Sequence, residues 1–130
     1  MSLLLDAGAV QARRAIARGP LAPLAQGLRV ELAPIVVGAI EIPREKALLS
    51  RTGGRCPNDG TFLRFDPLDA RHICPTCGLE VTGELHDRFR PYWYQLWLAE
   101  RVVHATVIGI LLDDAECIDA AWRVLDRYAD

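Results

Sequence analysis

The sequence carries no excess of positive charge. Its 15 Lys and Arg stand against 17 Asp and Glu, for a net charge of −2. From Arg44 to Arg90, eight basic residues meet seven acidic ones. A nucleic-acid or anionic-membrane partner calls for a basic field, so neither is expected. The opening Met1-Ser2-Leu3-Leu4-Leu5-Asp6 lacks a basic segment followed by a long apolar run, and does not read as a secretory leader. The apolar stretch from Val102 to Leu112 contains His104 and Thr106 and is too short to span a bilayer. The two glycines of the turn Ser50-Arg51-Thr52-Gly53-Gly54-Arg55 come without a Walker lysine, so phosphate binding is not expected there. A Ser-His-Asp elbow, a dinucleotide fingerprint and low-complexity runs are also missing.

What the chain does have is four cysteines. Without an export signal they suggest reduced thiols and a metal rather than disulfides, and with that a cytoplasmic location. Three of them sit in two near-identical turns, Cys56-Pro57-Asn58-Asp59-Gly60 and Cys74-Pro75-Thr76-Cys77-Gly78, whose leading cysteines are 18 positions apart. Each turn has a thiolate, a proline that sets φ, a second donor three residues on, and a glycine where the backbone takes positive φ. Two such knuckles facing each other across a small β-ribbon would hold zinc. Cys56, Cys74 and Cys77 supply three thiolates, and a structural zinc takes four ligands. The fourth is open between two residues. Asp59 occupies the position of the second knuckle cysteine. His72 lies two residues before Cys74, on the same side of an extended strand, and imidazole is the commoner zinc ligand. His86 and Cys117 are more distant, and Cys117 reads as a small core residue of the last helix. The zinc is expected to be structural, because three thiolates make a poor Lewis acid. The alternative is a ribbon that has lost its metal and folds on apolar contacts.

The 130 residues are 51% apolar and suffice for one compact domain or two small modules. Leu5, Ala9, Ala12 and Ile16 recur at helical spacing over residues 3 to 18, ahead of Gly19-Pro20. A connector with four prolines follows, and Pro34 to Ile42 reads as a possible strand. The ribbon pattern runs as Thr61 to Phe65, a turn at Asp66 to Ala70, Arg71 to Ile73, and Leu79 to Gly83. Pro91 opens a helix to about Leu112. Asp113, with Glu116 three residues later, reads as the capping box of a second helix, antiparallel to the first. The helical period continues to Asp130 without a stop signal, which suggests a longer polypeptide. The expected class is α+β, with an N-terminal helix and connector (1–50), a zinc-ribbon-like module (51–86) and a helical hairpin (87–130). Tyr92, Trp93, Tyr94 and Trp97 cluster where the first of these helices starts. They read as packing residues ahead of a sugar-stacking platform. Glu100 and His104, one turn apart, are a weak catalytic pair.

Ser50 to Gly60, His72 to Gly78 with Gly83, and Leu96-Trp97-Leu98-Ala99-Glu100-Arg101 with His104 together resemble the N-terminal region of bacterial heparinase II/III-like proteins, over about residues 43 to 130. The resemblance implies a polysaccharide lyase acting by β-elimination at uronic acids, in which the two final helices would start an α/α toroid. That family's catalytic Asn, His, Tyr and Arg match no position here, so no catalytic residue is assigned and a polysaccharide substrate is expected only of a full-length protein. Exposed helical faces would then favour self-association. The competing readings are a free-standing zinc-ribbon module that binds protein, and a nucleic-acid-binding ribbon disfavoured by charge.

Overall fold

The structure is a computed structural model that describes residues 6–129. It combines helices with a small antiparallel sheet, an α+β fold. Leu5, with which the first helical pattern opened, and Asp130 lie outside the described residues. The chain divides into two compact units. One comprises the residues up to Ala39 together with Glu100 onward, and the other Ile40–Ala99.

The first unit is helical. Helix α1 (Ala7–Arg18) starts where the Asp6 carboxylate accepts the Ala9 N–H at 2.8 Å. Helix α2 (Ala22–Glu31) and the single turn α3 (Ala33–Val36) each carry a proline in their first turn, where its missing N–H costs nothing. The strand expected from Pro34 to Ile42 is therefore not formed. Ile35 is buried, and Gly38 takes φ 71° just past the turn. Arg123, far along the chain, donates to the Ile35 and Val36 carbonyls, both at 3.0 Å. Those bonds satisfy the acceptors that a neighbouring strand would have used.

Helix α5 (Arg90–Leu112) and helix α6 (Ala115–Ala129) are joined by two aspartates. Asp113 adopts the left-handed conformation at φ 56°, and the Asp114 N–H reaches back to the Gly109 carbonyl at 3.0 Å. This is the Schellman pattern, with aspartate in glycine's usual place. Asp114, not Asp113, then caps α6 by accepting the Cys117 N–H at 3.1 Å. The capping box expected from Asp113 and Glu116 is thus shifted by one residue. Asp113 turns outward to Arg14 (2.6 Å) and Arg18 (2.5 Å). Arg29 bonds Asp114 at 2.5 Å and Glu116 at 2.9 Å. Arginines from α1 and α2 therefore converge on the corner between α5 and α6, and Arg14 also donates to the Ile110 carbonyl at 3.0 Å. A shared network of this kind holds better than isolated surface pairs. Gly109 allows close approach, since a Cβ there would lie 2.5 Å from Ile118 Cδ1.

The stretch Glu84–Leu112 is long and apolar enough to cross a bilayer by length and composition alone, unlike the shorter run counted from the sequence. Arg101 sits within it, 8% exposed and paired with Glu31 at 2.6 Å and Glu100 at 2.9 Å.

The second unit holds strands β1 (Arg64–Asp66), β2 (Asp69–Ile73) and β3 (Glu80–Val81), antiparallel in the order β1-β2-β3. The hairpin turn is only Pro67-Leu68, tighter than the five residues expected, and the Asp66 carboxylate accepts the Leu68 N–H at 2.8 Å. A short helix, α4 (Glu84–Asp87), precedes the first turns of α5. Cys56, Leu63 and Cys74 form a buried cluster, with Val81 and Trp93 packed on it. Phe89 and Trp93 meet edge to face at 5.1 Å, and Phe65 and Tyr94 at 5.7 Å.

Gly53 and Gly54 seat those rings. A Cβ on Gly54 (φ 70°) would lie 2.6 Å from both Phe89 and Trp93. Gly54→Ala therefore combines left-handed strain with overpacking. It should destabilise this unit by about 3 kcal/mol, measured as a shift in urea midpoint of the metal-loaded chain. An unchanged midpoint would show that the rings move aside freely.

Candidate metal centre

The two Cys-Pro turns have matching geometry. In each, the glycine N–H returns to the leading cysteine's carbonyl: Gly60 to Cys56 at 2.9 Å, Gly78 to Cys74 at 3.0 Å. Both glycines take positive φ, at 71° and 73°. Each leading cysteine donates its own N–H to the residue after the glycine, Cys56 to Thr61 at 2.8 Å and Cys74 to Leu79 at 2.9 Å. Backbone N–H groups of Thr76 and Cys77 point at Cys74 Sγ, at 3.4 and 3.5 Å. Those of Asn58 and Asp59 do the same for Cys56. The proline and glycine thus shape each turn so that its amides face its own sulfur.

The turns bring four donor atoms together. One ligand atom each from Cys56, Asp59, Cys74 and Cys77 lies within 4.8 Å of the others. Cys56 Sγ is 3.6 Å from Cys77 Sγ, and Cys74 Sγ is 3.5 Å from an Asp59 carboxylate oxygen. A tetrahedron with zinc–sulfur bonds of about 2.3 Å has sulfur–sulfur edges of about 3.8 Å and sulfur–oxygen edges of about 3.6 Å. The donors are of a type that binds zinc, and these two edges are compatible with it. Cys56 and Cys74 are buried, whereas Cys77 is exposed.

Electrostatics prepare the donors unequally. The Thr61 N–H, 2.9 Å from Asp59 Oδ1, holds that carboxyl below its ordinary pKa. The Cys77 N–H is the largest influence lowering the Cys74 thiol. Burial pushes the Cys56 thiol up to about 11. At neutral pH Cys56 keeps its proton until a cation displaces it, so metal uptake must release protons and tighten as pH rises.

His72 is placed differently. Only 4% exposed, its ring meets the Asp87 carboxylate through Nε2 at 2.7 Å. His86, on α4, accepts the Gly54 N–H through Nδ1 at 3.2 Å, and burial lowers its pKa so that it stays neutral. The two rings lie 6.0 Å apart. Each histidine thus braces the walls of the unit and neither enters the four-donor cluster. Cys117 is buried on α6, and burial pushes its thiol to about 11. Glu100 faces Arg101, and His104 Nδ1 is buried without a hydrogen-bond partner among the described residues. Trp93 has Phe62, Phe65 and Phe89 as ring neighbours, so the aromatic cluster packs against itself and the ribbon. The bracing by Asp87 and His86 was invisible in the sequence, because both act across turns formed by distant residues.

Asp59→Ala should weaken zinc binding at least about tenfold, and Asp59→Cys should tighten it by completing a four-thiolate set. His72→Ala should leave affinity close to that of the parent chain. Competition against a chromogenic chelator reads all three, and a collapse confined to His72→Ala would make the imidazole the ligand. These assignments stand on the chain's own geometry: no family model matches the sequence, and comparison with curated proteins and with solved structures finds no similar chain.

Proposed function

We propose that residues 51–86 are a two-knuckle zinc ribbon, held by Cys56, Asp59, Cys74 and Cys77, and that the chain works as a non-catalytic scaffold or binding module. The observation that carries this reading is the agreement of the 3.6 Å sulfur–sulfur and 3.5 Å sulfur–oxygen separations with the edges of a zinc tetrahedron. The bound ion would supply cross-linking: it ties two turns whose sheet is too small to bury a core of its own. Three thiolates need a reducing compartment, which supports the cytoplasm as the location.

A second reading keeps the resemblance to heparinase II/III-like lyases. The pairing of two Cys-Pro turns with the tryptophan-bearing α5 favours it. In that reading the catalytic groups belong to other parts of a longer protein, and the ribbon braces the first helices of a toroid.

Chain produced in zinc-supplemented medium should carry one zinc per molecule by elemental analysis. Cobalt exchanged into it should show thiolate charge-transfer and tetrahedral ligand-field bands. Chelation should unfold the ribbon, since a structural zinc contributes on the order of 10 kcal/mol. A metal-free chain with an unchanged cooperative transition would overturn the proposal. The lyase reading is tested separately, by whether the polypeptide isolated from its source cell releases unsaturated uronate from uronic-acid polymers.

A further inference from the structure

Helix α6 is apolar on two sides. One side, Cys117, Ala120, Ala121 and Val124, is buried in the helical unit. The other follows Ile118, Trp122, Leu125 and Ala129, the alternating four- and three-residue spacing of a coiled-coil seam. Ile118 starts this seam packed against Gly109. From Trp122 onward it is bare: Trp122 is 66% and Leu125 48% exposed. Taking Trp122 and Leu125 as the a and d positions, Asp119 and Asp126 both fall at e, one seam-turn apart. Both are exposed, and neither is ion-paired among the described residues. The basic residues of α6 lie elsewhere. Arg123 is committed to the Ile35 and Val36 carbonyls, and Arg127 falls at f, on the far side from the seam.

We propose that this seam is a docking surface for an amphipathic α-helix with aliphatic residues at a/d spacing and Lys or Arg along the edge that faces Asp119 and Asp126. The heptad spacing selects a helix as the occupant, because strands and irregular peptides do not present side chains at that period. The acidic edge selects its charge. A second copy fits poorly: antiparallel pairing sets e against e, so Asp119 of one copy meets Asp126 of the other, and parallel pairing sets Asp126 against uncharged Ala121. An anionic bilayer is disfavoured by the same two carboxylates, since helices that lie on membranes carry Lys and Arg beside their apolar face. The seam lies in the helical unit and contains no donor of the metal cluster, so it stands or falls independently of the zinc reading.

The test uses the zinc-loaded full chain and two labelled synthetic helices, with Leu at a and d and either Lys or Glu at e and g, followed by fluorescence anisotropy. The Lys helix should bind at least about tenfold more tightly than the Glu helix. The difference should collapse in Asp119→Asn/Asp126→Asn, while Trp122→Ala/Leu125→Ala weakens the Lys helix by a similar factor, with circular dichroism confirming that both variants fold. Equal affinity for the two helices, binding unmoved by the Trp122 variant, or no binding of either helix overturns the proposal. So does a dimer in sedimentation that Trp122→Ala abolishes, which would give the seam to a second copy.

Discussion

Three thiols and a carboxylate converge within 4.8 Å, and the second unit is organised around that convergence. Fully deprotonated, the four groups would carry four negative charges within that span, two of them on the buried Cys56 and Cys74, and their repulsion would drive the two turns apart. The turns can stay together only if the thiols keep their protons or a cation balances them. The backbone amides aimed at Cys56 and Cys74 lessen the repulsion but supply only partial charges. The surrounding architecture makes sense as support for this point. Leu63, Val81 and Trp93 pack around Cys56 and Cys74, and Gly54 is bare of a side chain so that Trp93 and Phe89 can reach in.

The helical unit is held by a different principle. It has few large buried side chains, with Leu32 and Cys117 among the most enclosed. Much of its specificity comes from arginines that reach across the chain. Arg14, Arg18 and Arg29 gather on Asp113, Asp114 and Glu116, and Arg123 closes the end of α3. The planar guanidiniums of Arg14, Arg29 and Arg123 each satisfy two acceptors, which fixes direction as well as charge, and Arg18 adds one bond to Asp113.

How much of this was legible in the sequence varies with the range of the interaction. The two Cys-Pro turns were readable because proline, glycine and the donor spacing act within five residues. The ribbon strands were readable by alternation, although their ends moved by up to three residues, the first starting at Arg64 and not Thr61. Pro34 to Ile42 misled because a β-branched run has no local sign that Arg123 will take its carbonyls. The neighbouring Asp113 and Asp114 could not be told apart as caps, since the choice depends on which of them adopts the left-handed backbone. The Gly53-Gly54 pair read as a plain turn, and its purpose appears only when two aromatic rings arrive from α5 and the turn before it. For the fourth donor the sequence left Asp59 and His72 open. The structure sets Asp59 among the sulfurs and turns His72 to Asp87.

The spacing of the cysteines also bears on the order in which the chain assembles. Closing the 18-residue span from Cys56 to Cys74 costs about 2.6 kcal/mol of chain entropy. Bringing Arg18 to Asp113 spans 95 residues and costs about 4 kcal/mol on the same scale. The short loop is the easier one to close by chance collision, and its strands pair locally. The ribbon should therefore be an early folding nucleus and the arginine corner a late closure. In a refolding experiment the burial of Trp93 against the sulfurs would then precede the protection of amides in α6.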